Sequence, residues 1–183
     1  MNKKGINTKK KIKSTLLDLL SEYELEEISV VLICKYSNVG RRTFYEHFND
    51  KYEVVELLIE DYIAHFKYSI DTLKFQNDFR NNLILGFKYL YENSNIFIVL
   101  YNSSLSRLFL KRTESLIKKS IREQINRSYL QQQNISEETI LTFLSHAVIG
   151  IMIDIGVKRD IQYLEKVDEI MHIVIPYFKS QNN

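Results

Sequence analysis

The residues best equipped for chemistry lie close together, in the stretch NVGRRTFYEHFNDKYEVVELL at 38–58. Arg41 and Arg42 are adjacent, and Thr43, Tyr45, His47 and Lys51 follow within a few turns of chain. A guanidinium offers a planar fork that matches the O6 and N7 acceptors of guanine. Hydroxyl, phenol and imidazole groups just beyond it can reach phosphate oxygens. Lys51 falls in the first turn of the next expected helix, where free amides already favour an anion. No carboxylate stands one turn before the arginines, so their partner is expected in a nucleic acid rather than in the protein. An ordinary solvated arginine pair is the alternative reading. Phe44 and Phe48, four apart, are expected to face inward and hold the helix down, whereas Tyr45 is expected at the DNA backbone.

Other chemistries find little material. The single cysteine, Cys34, excludes an internal disulfide and a cysteine-based zinc site. It is expected to be a small core residue. The four histidines (47, 65, 146 and 172) show no i, i+4 pair of the kind a helical zinc site uses. No Gly-rich phosphate loop, nucleophile elbow or HExxH is present, and the carboxylates are scattered along helix faces. Neither a cofactor nor a metal is expected, and no enzyme activity.

An all-α fold of about nine helices must position these groups. Five glycines and one proline in 183 residues are too few for the turns of a sheet protein. Ile12, Leu16, Leu19, Leu20 and Tyr23 give 8–23 the spacing of a one-sided helix. Ser29 reads as the N-cap of a short second helix with Val30, Ile33, Cys34 and Tyr36 available for packing. Ser37 and Asn38 supply the turn, Asn38 tolerating a left-handed backbone. Gly40 opens a third helix, 41–48, and Asn49 and Asp50 end it and cap a fourth running to about Leu73. A helix, a short helix, a tight turn and another short helix outline a helix-turn-helix, whose second short helix enters the major groove.

Charge agrees with that polarity. Residues 1–51 carry ten Lys/Arg against seven Asp/Glu, and residues 1–13 alone carry six lysines and no acid. The remainder carries fifteen against sixteen. A polyanion would therefore be met by the amino-terminal end. The basic run has no signal-peptide core after it, and the longest apolar run, AVIGIMIDIGV at 147–157, is interrupted by Asp154. A cytoplasmic protein without a membrane segment is expected.

Residues 8–58 resemble the DNA-binding domain of the tetracycline-repressor (TetR) family of bacterial transcription regulators. The V-x-R-x-T-F-Y-x-H-F-x-x-K pattern from Val39 to Lys51 carries most of that likeness. The resemblance implies DNA contacts at Arg41, Arg42, Thr43, Tyr45, His47 and Lys51, with Ser29 and Val30 touching backbone. Ser37, Asn38 and Gly40 depart from the alanine, glycine and serine common in the family.

The chain divides, on this reading, into a 1–51 DNA-binding head and a 52–183 regulatory and dimerisation body. Helices are expected at 78–92, 94–102, 105–132, 136–156 and 160–178. The 107–127 segment is strongly basic, seven cations against two acids, and reads as a solvated helix face. The last two helices are apolar over wide arcs, which calls for partners beyond one small core. Leu144, Val148, Ile151, Met152, Ile155, Val167, Met171, Val174 and Phe178 are expected at a homodimer interface, a four-helix bundle between subunits, with Ile161 on the same stripe. Two heads on one palindromic double-stranded operator would double the base contacts.

Aromatics crowd the body, and the resemblance implies an effector pocket there. Phe66, Phe87, Tyr91, Phe97, Tyr101 and Phe109 are the expected lining, with Phe75 in the same group, though aromatics at helical spacing are core more often than pocket. The effector would be an unidentified apolar or planar small molecule. The body also resembles the subgroup related to dihydroxyacetone-kinase operon activators, although tryptophans common near its penultimate helix are absent. The expected function is a homodimeric regulator, a repressor released by its effector. The alternative is a coactivator or adaptor that works through a protein partner.

Overall fold

Ile12, Leu16 and Leu19 fall on one side of the first helix and are buried there, which orients α1 (Lys3–Leu20) over the residues that follow. Each such side chain removed from water contributes roughly 1.5–3 kcal/mol. The computed structural model describes residues 3–71, 79–159 and 162–178. Among them are α2 (Val30–Ser37), α3 (Arg41–Tyr45), α4 (Lys51–Asp71), α5 (Phe79–Glu92), α6 (Ser94–Asn102), α7 (Ser106–Gln124), α8 (Arg127–Gln132), α9 (Glu137–Lys158) and α10 (Tyr163–Val174), then a 3-10 turn at Ile175–Tyr177. The all-α expectation holds. The described residues contain ten helices and no strand, only an isolated antiparallel bridge between Ile125 and Phe178.

One helix more than expected arises because the 105–132 segment breaks at Ile125 and Asn126. The Asn126 side chain accepts from the Tyr129 amide at 3.1 Å and caps α8, while its own N–H donates to the Tyr177 carbonyl at 2.8 Å. A polar side chain that satisfies a helix end locally favours interruption over continuation. At the other end of the chain Pro176 cannot extend α10 and opens the 3-10 turn instead. Phe75 and Ile161, together with the expected end of α4 at Leu73 and the start of the last helix at 160, lie outside the described residues.

Two compact units make up the chain. The first comprises Met1–Tyr62 and Val99–Phe109, the second Ile63–Ile98 and Leu110–Asn183. One boundary between the units lies within α4. In the first unit, Ile12, Leu16, Leu25, Ile28, Ile33, Phe44, Val54, Val55 and Ile59 are fully buried, and Tyr62 meets Phe109 edge-on with centroids 5.6 Å apart.

In the second unit α5 packs on α9 and α10. Arg80 grips Asp168 with Nε and Nη2 at 3.0 and 2.7 Å, and the Phe79 and Phe178 rings stack with centroids 4.1 Å apart. Gly156 lets α9 approach α6: a Cβ added there would lie 2.4 Å from Cδ1 of Phe97. At the start of α9, Glu137 receives Arg122 at 3.2 Å and Arg127 at 2.7 Å, and Glu138 receives Lys118 at 3.4 Å. The basic 107–127 segment, expected as a solvated helix face, is thus partly neutralised inside its own unit. The Arg127 hydrogen bond, with Arg122 adding to it, holds the Glu137 carboxyl below its usual range.

By length and composition α9, Glu137–Lys158, is apolar enough to cross a membrane, which the 147–157 run alone did not suggest. Ile140, Leu141, Leu144, Val148, Met152 and Ile155 are buried in this structure, the usual role of such a helix at the centre of a helical protein.

Candidate nucleic-acid interface

Three devices fix the recognition segment. Ser29 caps α2, its hydroxyl oxygen accepting from the Leu32 amide at 3.1 Å. Its hydroxyl proton is still free to donate to an acceptor in solution. Asn38 ends α2 in the left-handed region (φ 52, ψ 45), its amide directed at the Cys34 and Lys35 carbonyls. The short polar side chain makes that conformation tolerable where most residues would be strained. Gly40 then starts α3 in extended backbone with no side-chain cap. The departure from the family pattern at Asn38 thus keeps the turn.

α3 is anchored from beneath. Phe44 is fully buried and its ring lies 5.6 Å from that of Phe48, which is also buried, as the four-residue spacing implies. The outward side carries the chemistry. Arg41 and Tyr45 are exposed, the latter at 53%, and the Arg42 side chain is 94% exposed. Thr43, Val30 and His47 are half-buried at the edge of the same element group. The first turns of α1 run past the far end of α3. A Cβ added at Gly5 would sit 3.5 Å from Cε1 of His47, and the Lys9 ammonium lies 5.6 Å from the Phe48 ring centroid.

Arg42 does have a carboxylate partner, one turn after it rather than before. Its Nε meets Oε1 of Glu46 at 3.3 Å, an i, i+4 pair on the exposed side of α3. An exposed pair of this kind contributes only about 0–1 kcal/mol. Because it engages Nε, the terminal nitrogens of the fork are left for another acceptor.

Lys51 is occupied differently from the phosphate role expected of it. Its ammonium donates to the carbonyl oxygens of Leu25 at 2.6 Å, Ile28 at 2.8 Å and Glu26 at 3.1 Å. Tyr36, expected to pack, is 61% exposed, with the Lys35 ammonium 5.8 Å from its ring centroid. It lies to one side of the arc that Ile33, Cys34 and Ser37 bury. Cys34 is a small core residue, and burial raises its thiol above the usual range, with Arg41 pulling the other way.

The other two sets of sequence-predicted residues behave as core. Phe66, Phe87, Phe97 and Phe109 are all buried. Phe66 packs on Gly86 and lies 5.9 Å from the Tyr89 ring, Phe97 fills the space over Gly156, and Phe109 pairs with Tyr62. Tyr91 and Tyr101 are half-buried. Of the expected interface, Leu144, Val148, Met152, Ile155, Val167, Val174 and Phe178 are buried within the second unit, and only Ile151 and Met171 are partly open. The apolar side chains left outside are Phe143 at 62% and Val157 on α9, Leu164 and Ile173 on α10, and Ile175 just beyond it. Phe143, Ala147, Gly150 and Val157 recur at helical spacing, offset by one residue from the buried set, and so face another side of α9. Apolar periodicity locates the arc facing the core; the second arc is visible only once the first has been filled.

Among the described residues, no group of three or more His, Cys, Asp or Glu side chains is arranged to hold a metal ion.

A family model described as a transcriptional regulator C-terminal region, of TetR type, matches residues 77–175. The HTH-type dhaKLM operon transcriptional activator DhaS of Lactococcus lactis subsp. lactis (strain IL1403) is 26% identical over 151 residues, 81% of this chain and 79% of that protein. The solved structure of a dihydroxyacetone kinase operon activator DhaS superposes with a TM-score of 0.64 at 18% identity, covering 96% of this chain and 99% of the other. A transcriptional regulator from Rhodococcus sp. Rha1 superposes with a TM-score of 0.59 at 17% identity, covering 94% and 98%. These structural likenesses concern the fold.

Proposed function

The chain belongs to the TetR family of transcriptional regulators, and from that premise we propose that it binds double-stranded operator DNA as a homodimer inside the cell. The observation that carries the reading is the outward display of Arg41, Arg42 and Tyr45 on a short helix pinned by Phe44 and Phe48. A guanidinium fork on such a helix reads guanine in the major groove. Thr43, His47, Ser29 and Val30 flank it as phosphate contacts. Two copies joined through the outer arc of α9 and α10, with Phe143, Val157, Leu164 and Ile175 against their equivalents, would set two α3 helices on successive half-sites of a palindrome.

Selection of bound duplexes from a random library, followed by titration, tests this. Arg42→Ala is expected to weaken binding to the selected duplex by ~1–3 kcal/mol and to relax preference at one base pair. The slope of log affinity against log salt should be steep, because neutralised phosphates release counterions. If Arg41→Ala and Arg42→Ala both bind the selected duplex like the parent, α3 is not the reading element.

The expected sign of control was repression released by an effector. A second reading has a specific observation behind it: the Lactococcus relative is named an operon activator. Transcription from a promoter beside the selected site, with and without the protein, separates the two. Loss of DNA binding on adding a small molecule would support the repressor; retention of DNA binding while a co-purified protein controls transcription would support an adaptor. No catalytic role is part of either reading.

A further inference from the structure

We infer that Lys51 is a positioning residue: a clamp that ties the first turn of α4 to the loop entering α2, and so sets the attitude of α3, rather than a phosphate contact. This rests on the reading of α3 as the DNA-reading helix. An ammonium has three N–H donors. All three are used on one short loop, by the carbonyls of Leu25, Glu26 and Ile28 at 2.6, 3.1 and 2.8 Å. Leu25 and Ile28 are fully buried, so their backbone polar groups need partners within the protein.

The loop leads directly into α2. Ile28 precedes Ser29, the N-cap whose oxygen holds the Leu32 amide. α2 runs only to Ser37, and the left-handed Asn38 fixes its junction with α3. On the other side Lys51 is the first residue of α4, whose start is held by Asp50 accepting from the Glu53 amide at 2.9 Å and by Glu53 accepting from the Asn49 amide at 2.6 Å. The clamp therefore joins two rigidly capped helix ends. A rotation of α4 about its first turn is passed to α2 and α3 through this ammonium. A phosphate that recruited the ammonium would have to draw it away from the part-buried Leu25 and Ile28 carbonyls, of which Leu25 would keep the Ile28 amide at 3.2 Å.

Arginine separates the two roles. It binds phosphate at least as well as lysine, but its planar fork cannot aim three donors at a tripod of carbonyls. The full-length protein, Lys51→Arg and Lys51→Met would be titrated, at a temperature where each is folded, against the duplex selected by the parent protein and a scrambled duplex of equal length. Both variants are expected to lose about tenfold or more on the selected duplex, the scale of a misplaced reading helix, with the scrambled duplex and the salt slope unchanged. The clamp is overturned if Lys51→Arg binds like the parent while Lys51→Met loses both duplexes and about one unit of salt slope. It is equally overturned if both variants only melt at lower temperature and bind as the parent does.

Should neither variant fold, nitrogen-15 NMR of the lysine ammonium groups in the DNA-free parent decides. The Lys51 protons are expected to exchange with water far more slowly than those of exposed Lys10, and equal exchange rates would sink the clamp. That measurement stands even if the parent selects no duplex, an outcome that would remove the DNA reading alone.

Discussion

α3 and α9 expose themselves to opposite ends. In α3 the side chains that matter are polar, and they point outward from two buried phenylalanines. In α9 the apolar residues form two arcs, and the larger one is consumed by the fold of its own unit. A polar group on a short helix with an aromatic underside has one place to go. An apolar group on a long, nearly all-apolar helix has two, and spacing alone favours the core. A motif thus reveals a polar surface directly, whereas an apolar surface is what remains after the core is subtracted.

The sharpest way to break that contrast uses neighbouring residues on α9. Leu144→Ala should remove about 2–5 kcal/mol of stability, the cost of a cavity in a packed core, as read by urea unfolding. Phe143→Glu should leave the unfolding of the second unit nearly unchanged and convert a dimer to a monomer in sedimentation. Monomers from Leu144→Ala, with an intact dimer from Phe143→Glu, would exchange the two arcs. Next in size, Gly156→Ala should cost roughly 1–3 kcal/mol, because the new methyl meets the Phe97 ring at 2.4 and 2.6 Å and the ring must move. A neutral result would mean that α6 and α9 part easily.

On the head, Ser29→Ala should cost about 1 kcal/mol through loss of the α2 cap, with Ser29→Asn restoring it. If operator affinity falls further than stability accounts for, Ser29 also touches DNA. The smallest effect concerns Glu137, whose carboxyl is held below the ordinary value of 4.5 by Arg127 and then Arg122. A depressed acid adds stability above its ordinary value and loses it as pH falls through the lowered one. Glu137→Gln should therefore lie slightly below the parent at neutral pH and converge with it in acid, by thermal melts across pH. Curves that stay parallel would remove the pair from the energetics of α9.

The head was legible because its cues are local. Ser29 and Asp50 each accept a backbone amide three residues on, Asn38 turns the chain in the left-handed region, and Asn49 donates to the Glu53 carboxylate one turn later. What escaped was non-local or off-phase. Glu46 was overlooked because it follows Arg42. The Lys51 acceptors lie on backbone far earlier in the chain, and backbone carbonyls leave no mark in side-chain patterns. Tyr36 looked apolar enough to bury, yet the α2 interior was already filled by Ile33 and Cys34. The break at Asn126 depends on a bond to Tyr177, a partner that spacing within 105–132 could not disclose.

That last junction bears on the order of events during synthesis. Phe178 stacks on Phe79 and Tyr177 receives the Asn126 amide, so the second unit is sealed by almost the final described residues of the chain. α1, α2 and α3 can meet one another as soon as they leave the ribosome, because their contacts are close in sequence. The later helices must wait, with Phe79 uncovered, for the tail to arrive. A stalled or clipped chain would thus present the cationic end in near-final form on a body still seeking its last partner.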